Sequence, residues 1–365
     1  MNNLRTISAG FSLLALLAIM GSAATAADNA QMDHSGHDMS GASVERDELG
    51  RRLYDTTHKV TPEMANELRT KIPLYQEFTD AQISMSMKMM GSNYTWYLSS
   101  DELRGTQGVL LLSHSSRSSD PRLKASVEGF ADVFPMAMAP GMAMMMSNHI
   151  QLAVDDLKAA GAESIVVLPL VSTRHNTLLR QWRYIFGHEQ DPAYATVPRV
   201  KTDVNILFAE PPGDSPWIAE ILVDHALEIS QNPKSELVVV AAHGPQFEAD
   251  NLEVLAELNA LADMISDETD FAGVIGLSMQ DDAPKAVRDA NVAKLRKVVS
   301  EAIDAGQRVL VVTNLMGTRS IQGKLRRDLK GLEYEFNAKG VSAHPTFTND
   351  WMSNTIMDTL ADAGQ

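Results

Sequence analysis

The chain has 365 residues, a formal net charge of -16 at pH 7 and no cysteine. Without cysteine there is neither a disulfide framework nor thiolate ligation, so any metal chemistry falls to His, Met or carboxylate side chains. The acidic balance excludes nucleic acid as the natural partner, because phosphate neutralisation needs clustered Lys and Arg, and the length predicts two domains.

Residues 1–26 read as a secretory signal peptide, with Arg5 in a short polar start, an apolar run over 11–20 and a small-residue exit at Ala24-Thr25-Ala26. That run is too short for a bilayer, and no later stretch is long and apolar enough to span one. The expectation is a mature protein that is periplasmic or secreted, with no membrane span. Residues 27–50 are rich in Ala, Ser, Gly, Asp and His and predict a disordered tail. Inside it, Met32-Asp33-His34-Ser35-Gly36-His37-Asp38-Met39 puts thioether, imidazole and carboxylate side by side, so His34 and His37 are candidate tail metal ligands. A solvated linker with incidental histidines is the plain alternative.

Residues 51–104 read as a helical N-terminal arm, with Thr61-Pro62-Glu63 supplying a cap and a first-turn proline. Met85, Met87, Met89 and Met90 read as a packed segment entering the first strand. Beyond it, short apolar runs alternate with amphipathic stretches, which predicts a mainly parallel sheet. Strands are expected at 109–113, 136–144, 165–170 and 204–208, then at 237–241, 271–277 and 309–313. The fold class is therefore α/β, with two Rossmann-like (flavodoxin-like) lobes at 105–230 and 231–365.

An internal repeat supports the two lobes. Val109-Leu110-Leu111-Leu112-Ser113-His114 lies over Val238-Val239-Val240-Ala241-Ala242-His243 at an offset of 238 − 109 = 129. Residues 160–175 lie over 305–320 at an offset of 305 − 160 = 145, pairing Ala160-Gly161 with Ala305-Gly306 and Thr173-Arg174 with Thr318-Arg319. The change of offset predicts about sixteen extra residues near 280–291 (145 − 129 = 16).

In doubly wound sheets ligands bind beyond the carboxyl ends of the strands, at the point where strand order reverses. His114 ends the first strand and His175 follows the third, which are neighbours in a 2-1-3-4 order. Parallel neighbours lie roughly 4.8 Å apart, so two imidazoles can meet on one divalent ion. The second lobe keeps His243 but has Ser320 where the first has His175.

Leu112-Ser113-His114-Ser115-Ser116-Arg117, the stretch 157–170 (LKAAGAESIVVLPL) and a histidine in the next loop together resemble the class II tetrapyrrole metal chelatases, in particular the CbiX-type sirohydrochlorin cobaltochelatases. The likeness covers roughly 105–330. It implies a two-lobed chelatase-like fold with the macrocycle in the cleft, and a lyase-type insertion of cobalt or iron into a tetrapyrrole such as sirohydrochlorin without ATP, as in cobalamin biosynthesis. It assigns His114 and His175 as catalytic metal-ligand and proton-acceptor residues, His243 as a further metal contributor, and Ser115, Ser116 and Arg117 to substrate binding. It implies no tightly bound cofactor, the divalent ion being a substrate, and a monomer is sufficient to form the cleft. Two departures stand out: Ser115 replaces the usual glycine after the first histidine, whereas His243-Gly244 keeps it, and the chain carries an export signal.

The alternatives are an exported, non-catalytic metal or tetrapyrrole binder and a degenerate structural homologue. Met136, Met138, Met142, Met144 and Met146 share one parity, which on a strand means one face, as core or as the wall of a macrocycle pocket. Gly276-Leu277-Ser278-Met279-Gln280 breaks the nucleophile-elbow pattern, and no Gly-Lys-Ser/Thr phosphate loop occurs. His149, His188 and His225 read as surface or packing residues.

Overall fold

The computed structural model describes residues 46–53, 60–89, 93–114, 120–317 and 320–364. The signal segment, His34, His37, Ser115, Ser116 and Arg117 lie outside the described residues. In chain order the first part comprises β1 (Arg51–Leu53), α1 (Pro62–Lys71), α2 (Asp80–Met89), β2 (Tyr94–Tyr97), β3 (Gln107–Ser113), α3 (Asp120–Ser126), α4 (Glu128–Ala131), β4 (Met136–Pro140), α5 (Asn148–Ala159), β5 (Ser164–Leu170), α6 (Thr177–Ile185) and β6 (Asn205–Phe208). The second comprises α7 (Pro216–Leu227), β7 (Glu236–Ala242), α8 (Glu248–Glu268), β8 (Gly273–Ser278), α9 (Lys285–Asp304), β9 (Arg308–Asn314), α10 (Ser320–Asp328), β10 (Glu335–Phe336) and α11 (Ser353–Asp362).

The arm is helical for the reasons its sequence states. Pro62 occupies the first turn of α1, and the Thr61 hydroxyl accepts from the Met64 amide at 3.2 Å. Met85, Met87 and Met89 belong to α2 and Met90 lies outside the described residues; Met85 is 51% exposed, so this segment is not the packed strand entry expected. A helical period carries some of its side chains outward. The arm also contributes β1 and β2, which pair antiparallel along the edge of the first sheet.

That sheet has the order β1-β2-β4-β3-β5-β6, and the second has β10-β9-β7-β8. Stripped of the arm strands, each is a parallel sheet in 2-1-3-4 order, which is the expected flavodoxin-like topology. Strands β3, β5 and β7 are almost wholly buried because helices cover both faces, and this is why their sequences run apolar without alternation. Val109 and Leu111 face a core shared with Val238 and Val240 of β7, whereas Leu110 and Leu112 face α1, α5 and α6. Between the sheets, α8 lies against β8 closely enough that a Cβ on Gly276 would come within 2.6 Å of the Leu258 Cβ.

Two details depart from the linear reading. α7 packs on β9 and α8 of the second sheet although it precedes residue 230, and α11 returns to β5 and β6 of the first. The offset of 145 holds at the helix ends, where Gly161 and Gly306 are both left-handed, but the strands pair at 308 − 164 = 144. The first lobe has one more residue between the helix and its strand, so a gapless alignment slips by one and exchanges the two faces.

The methionine run resolves as core. β4 stops at Pro140, so only Met136 and Met138 share a strand face, and both are fully buried in the inter-sheet core. Met144 packs on the opposite side of the sheet, with α1 and α6. Among the described residues no helix is long and apolar enough to cross a membrane.

Candidate functional site

Both repeat histidines leave their strands at the carboxyl edge. His114 follows Ser113, the last residue of β3, and His243 follows Ala242, the last of β7. The loop carrying His243 is held tightly. Gly244 has φ +75°, and a Cβ there would lie 2.1 Å from the Ser278 Oγ and 2.6 Å from the Gln280 nitrogen. Only glycine permits that approach without moving β8's exit loop. The Met279 amide donates to the Ala242 carbonyl, and the Asp281 amide to the His243 carbonyl, both at 3.0 Å.

His243 Nδ1 lies 2.8 Å from the Gly244 carbonyl, which can only accept, so the proton sits on Nδ1 and the Nε2 lone pair is left free. Nε2 stands 3.7 Å from the Asp282 carboxylate. Burial pulls the basicity of His243 down, but the charges of Asp282 and Asp281 and the Gly244 carbonyl outweigh it, and the net direction is upward. His114 moves the other way. Burial dominates, Asp282 opposes it, and the charge of His243 lowers it further. Each ring keeps some solvent contact while protein atoms crowd around it, as in a recess. The structure thus brings His114, His243 and Asp282 into one electrostatic neighbourhood, drawn from both sheets.

His175 lies in the loop after β5. Its Nε2 is 3.9 Å from the Glu257 carboxylate on α8, and the adjacent Arg174 amide and guanidinium approach the same carboxylate at 3.2 and 3.5 Å. Arg174 also pairs with Asp214 at 2.5 Å. This loop ties the first sheet to a helix of the second. Arg180 on α6 grips Asp250 on α8 through both oxygens, at 2.9 and 2.8 Å, beside a Gln246–Thr177 hydrogen bond.

Sequence reasoning missed Asp281 and Asp282. The Asp281 side chain is 1% exposed and is held by Arg288 at 2.6 Å and Lys324 at 2.5 Å. Burial alone would raise its pKa, but His243 and Lys324 bring it below the ordinary carboxylate value. The signal was present: both residues fall in the stretch near 280–291 that the repeat marks as extra. Two phenols were also missed. Burial pushes Tyr75 of the arm up to about 12, and Asp282 adds to that, while the Tyr194 phenol is raised for the same reasons. Tyr75, in the core beside α1, thus stands within range of the Asp282 charge. Among the described residues, no three His, Asp or Glu side chains are grouped so as to close around an ion.

Two 2-1-3-4 parallel sheets, with a histidine leaving the carboxyl edge of β3 and another that of β7, make a two-lobed Rossmann-like fold. The same fold occurs in SirB from Bacillus subtilis, solved with Fe3+, with a TM-score of 0.52 at 16% identity over 71% of this chain and 98% of that one. DR2241 from Deinococcus radiodurans, described as a multi-domain protein with structural similarity to chelatases and two additional novel domains, gives 0.44 at 17% identity over 69% of this chain and 55% of its own. No family model matches the sequence, and no curated protein matches it.

Proposed function

We propose that this protein inserts a divalent metal into a tetrapyrrole in the cleft between its two sheets. The single observation that carries the reading is that His114 and His243, at the matching ends of β3 and β7 in different sheets, both feel the charge of Asp282, which lies 3.7 Å from the His243 Nε2. The SirB fold, found with Fe3+, is consistent with it. On this reading the ion is cargo, either Co2+ or Fe2+. His114, its basicity lowered by its surroundings, offers a lone pair to the incoming ion. Two pyrrole N–H protons must leave as the ion enters. His243, made more basic by Asp282 and Asp281, takes one of them and passes it to solvent. His175, beside Glu257, holds the loop next to the cleft and contributes a third imidazole only if that contact opens. Ser115, Ser116 and Arg117 remain the proposed macrocycle contacts, and His34 and His37 the proposed metal-gathering ligands of the tail. The reaction uses no nucleotide, and it takes place outside the cytoplasm if the signal segment is cleaved.

The test is absorbance spectroscopy of purified mature protein with sirohydrochlorin and, separately, Co2+, Fe2+ and Ni2+, without ATP. Multiple turnovers are expected with at least one metal, and they should be lost in the His114→Ala/His243→Ala double variant. A single stoichiometric spectral shift would mean a binder instead, and normal rates in the double variant would remove these histidines from the chemistry.

A further inference from the structure

Among the described residues only two that are not glycine take a left-handed backbone, Ala143 at φ +50° and Gln280 at φ +43°. Both lie at a carboxyl edge, in the loop after the strand next in sequence to the histidine's own: β4 ends at Pro140 and β8 at Ser278. Each of these loops is bonded back to a histidine-bearing exit. The Gly141 amide donates to the Ser113 carbonyl at 2.8 Å, and the Asp281 amide to the His243 carbonyl at 3.0 Å. Left-handed backbone is unfavourable for an L side chain and persists only where its surroundings impose it, so two such residues at matching places point to a task that the strain serves.

An amide side chain clamps each one. Gln181 donates to the Ala143 carbonyl at 3.1 Å, and Asn291 of α9 donates to the Gln280 side-chain oxygen at 3.0 Å. The left-handed step at Gln280 falls between two bonds that tie the exit of β8 to that of β7, from the Met279 amide to the Ala242 carbonyl and from the Asp281 amide to the His243 carbonyl. It also falls just before two aspartates with different partners. Asp281 is held by Arg288 and Lys324, whereas Asp282 stands 3.7 Å from the His243 Nε2. We propose that Gln280 and Asn291 are positioning residues of the cleft, whose clamped left-handed turn holds Asp282 against the His243 imidazole while Arg288 and Lys324 anchor Asp281 beside it. The inference rests on the reading that His243 and Asp282 work together in metal insertion, and it adds two residues that act only through Asp282.

Burial lowers the basicity of His243, Asp282 and Asp281 raise it and Lys324 lowers it, so the imidazole reports where Asp282 stands. The first readout therefore needs no chelation: magnetic resonance of metal-free mature protein labelled with 15N in its histidine rings, with His243 assigned from its loss in His243→Gln. Asn291→Ala and Gln280→Gly should each move the His243 titration to lower pH, as Asp282→Asn does. With Asp282→Asn already in place, Asn291→Ala should move it no further. Glycine accepts a left-handed turn and alanine favours a helix, so both variants should fold. The second readout is absorbance of Co2+ or Fe2+ insertion into sirohydrochlorin, where each single variant should lose roughly tenfold in kcat, the effect of a displaced reacting group, with KM for the macrocycle unchanged. An unmoved His243 titration in both variants, or a shift by Asn291→Ala that persists undiminished beside Asp282→Asn, would overturn the positioning role whatever the chelation result. The expected shifts in a protein that turns over no macrocycle would remove the proposed reaction and leave the positioning intact.

Discussion

His114 and His243 occupy equivalent places in a repeat, yet their surroundings drive their basicities apart, and catalysis by a ligand–base pair needs that divergence. Replacing either by Ala should slow metal insertion by about 10²-fold, the size of a lost acid–base or ligand contribution. His175→Ala should cost less than about tenfold, because its ring faces Glu257; initial rates by absorbance decide. Asp282 raises both imidazoles. An imidazole serves as ligand or base only when neutral, so the acid limb of the rate profile follows its pKa. Asp282→Asn should therefore shift that limb to lower pH, and an unmoved limb would detach Asp282 from the reaction. Gly244→Ala should lower the urea midpoint by an amount corresponding to at least about 1–2 kcal/mol, since an L side chain at φ +75° is strained even before it meets Ser278.

Among elements, α8 carries the most consequence. It packs its Leu258 face on Gly276 of β8 and presents Asp250 and Glu257 to α6 and to the loop after β5. Leu258 is 1% exposed, so Leu258→Ala should cost about 2–5 kcal/mol in denaturant unfolding. The periodicities of β3, β5, β7, β8 and β9 are legible because both faces of each strand are covered, which demands near-continuous apolar runs. β1, β2 and β10 were not legible. They are short strands of two to four residues, β1 and β10 at sheet edges and β2 between β1 and β4, whose pairing is supplied by neighbours rather than by their own pattern.

For the molecule as a whole, buried titratable groups link stability to pH, and they do not all pull the same way. His225 on α7 is 1% exposed, and burial first, then the neighbouring His344, depress it to about 4. Above pH ~6.5 it is neutral folded and unfolded and contributes nothing. As pH falls from ~6.5 towards 4 the unfolded chain takes up a proton that the folded chain refuses, so stability is lost through that window, by roughly 3 kcal/mol at most. Asp120, raised by burial to about 7, gains stability over the same window, so the test is a difference: in chemical denaturation from pH 7.5 to 4, wild type should lose stability relative to His225→Gln.

Composition and repeat were enough to establish an α/β chain of duplicated parallel sheets, and to place His114 and His243 at matching strand ends, because buried parallel strands and their exits are local patterns. Which histidine meets which was not local. The common influence of Asp282 on His114 and His243, the contact of His175 with Glu257 and the exchange of α7 and α11 between sheets all depend on how helices of one lobe settle on the other. That is decided by packing between segments more than a hundred residues apart, for which no stretch of sequence holds a period.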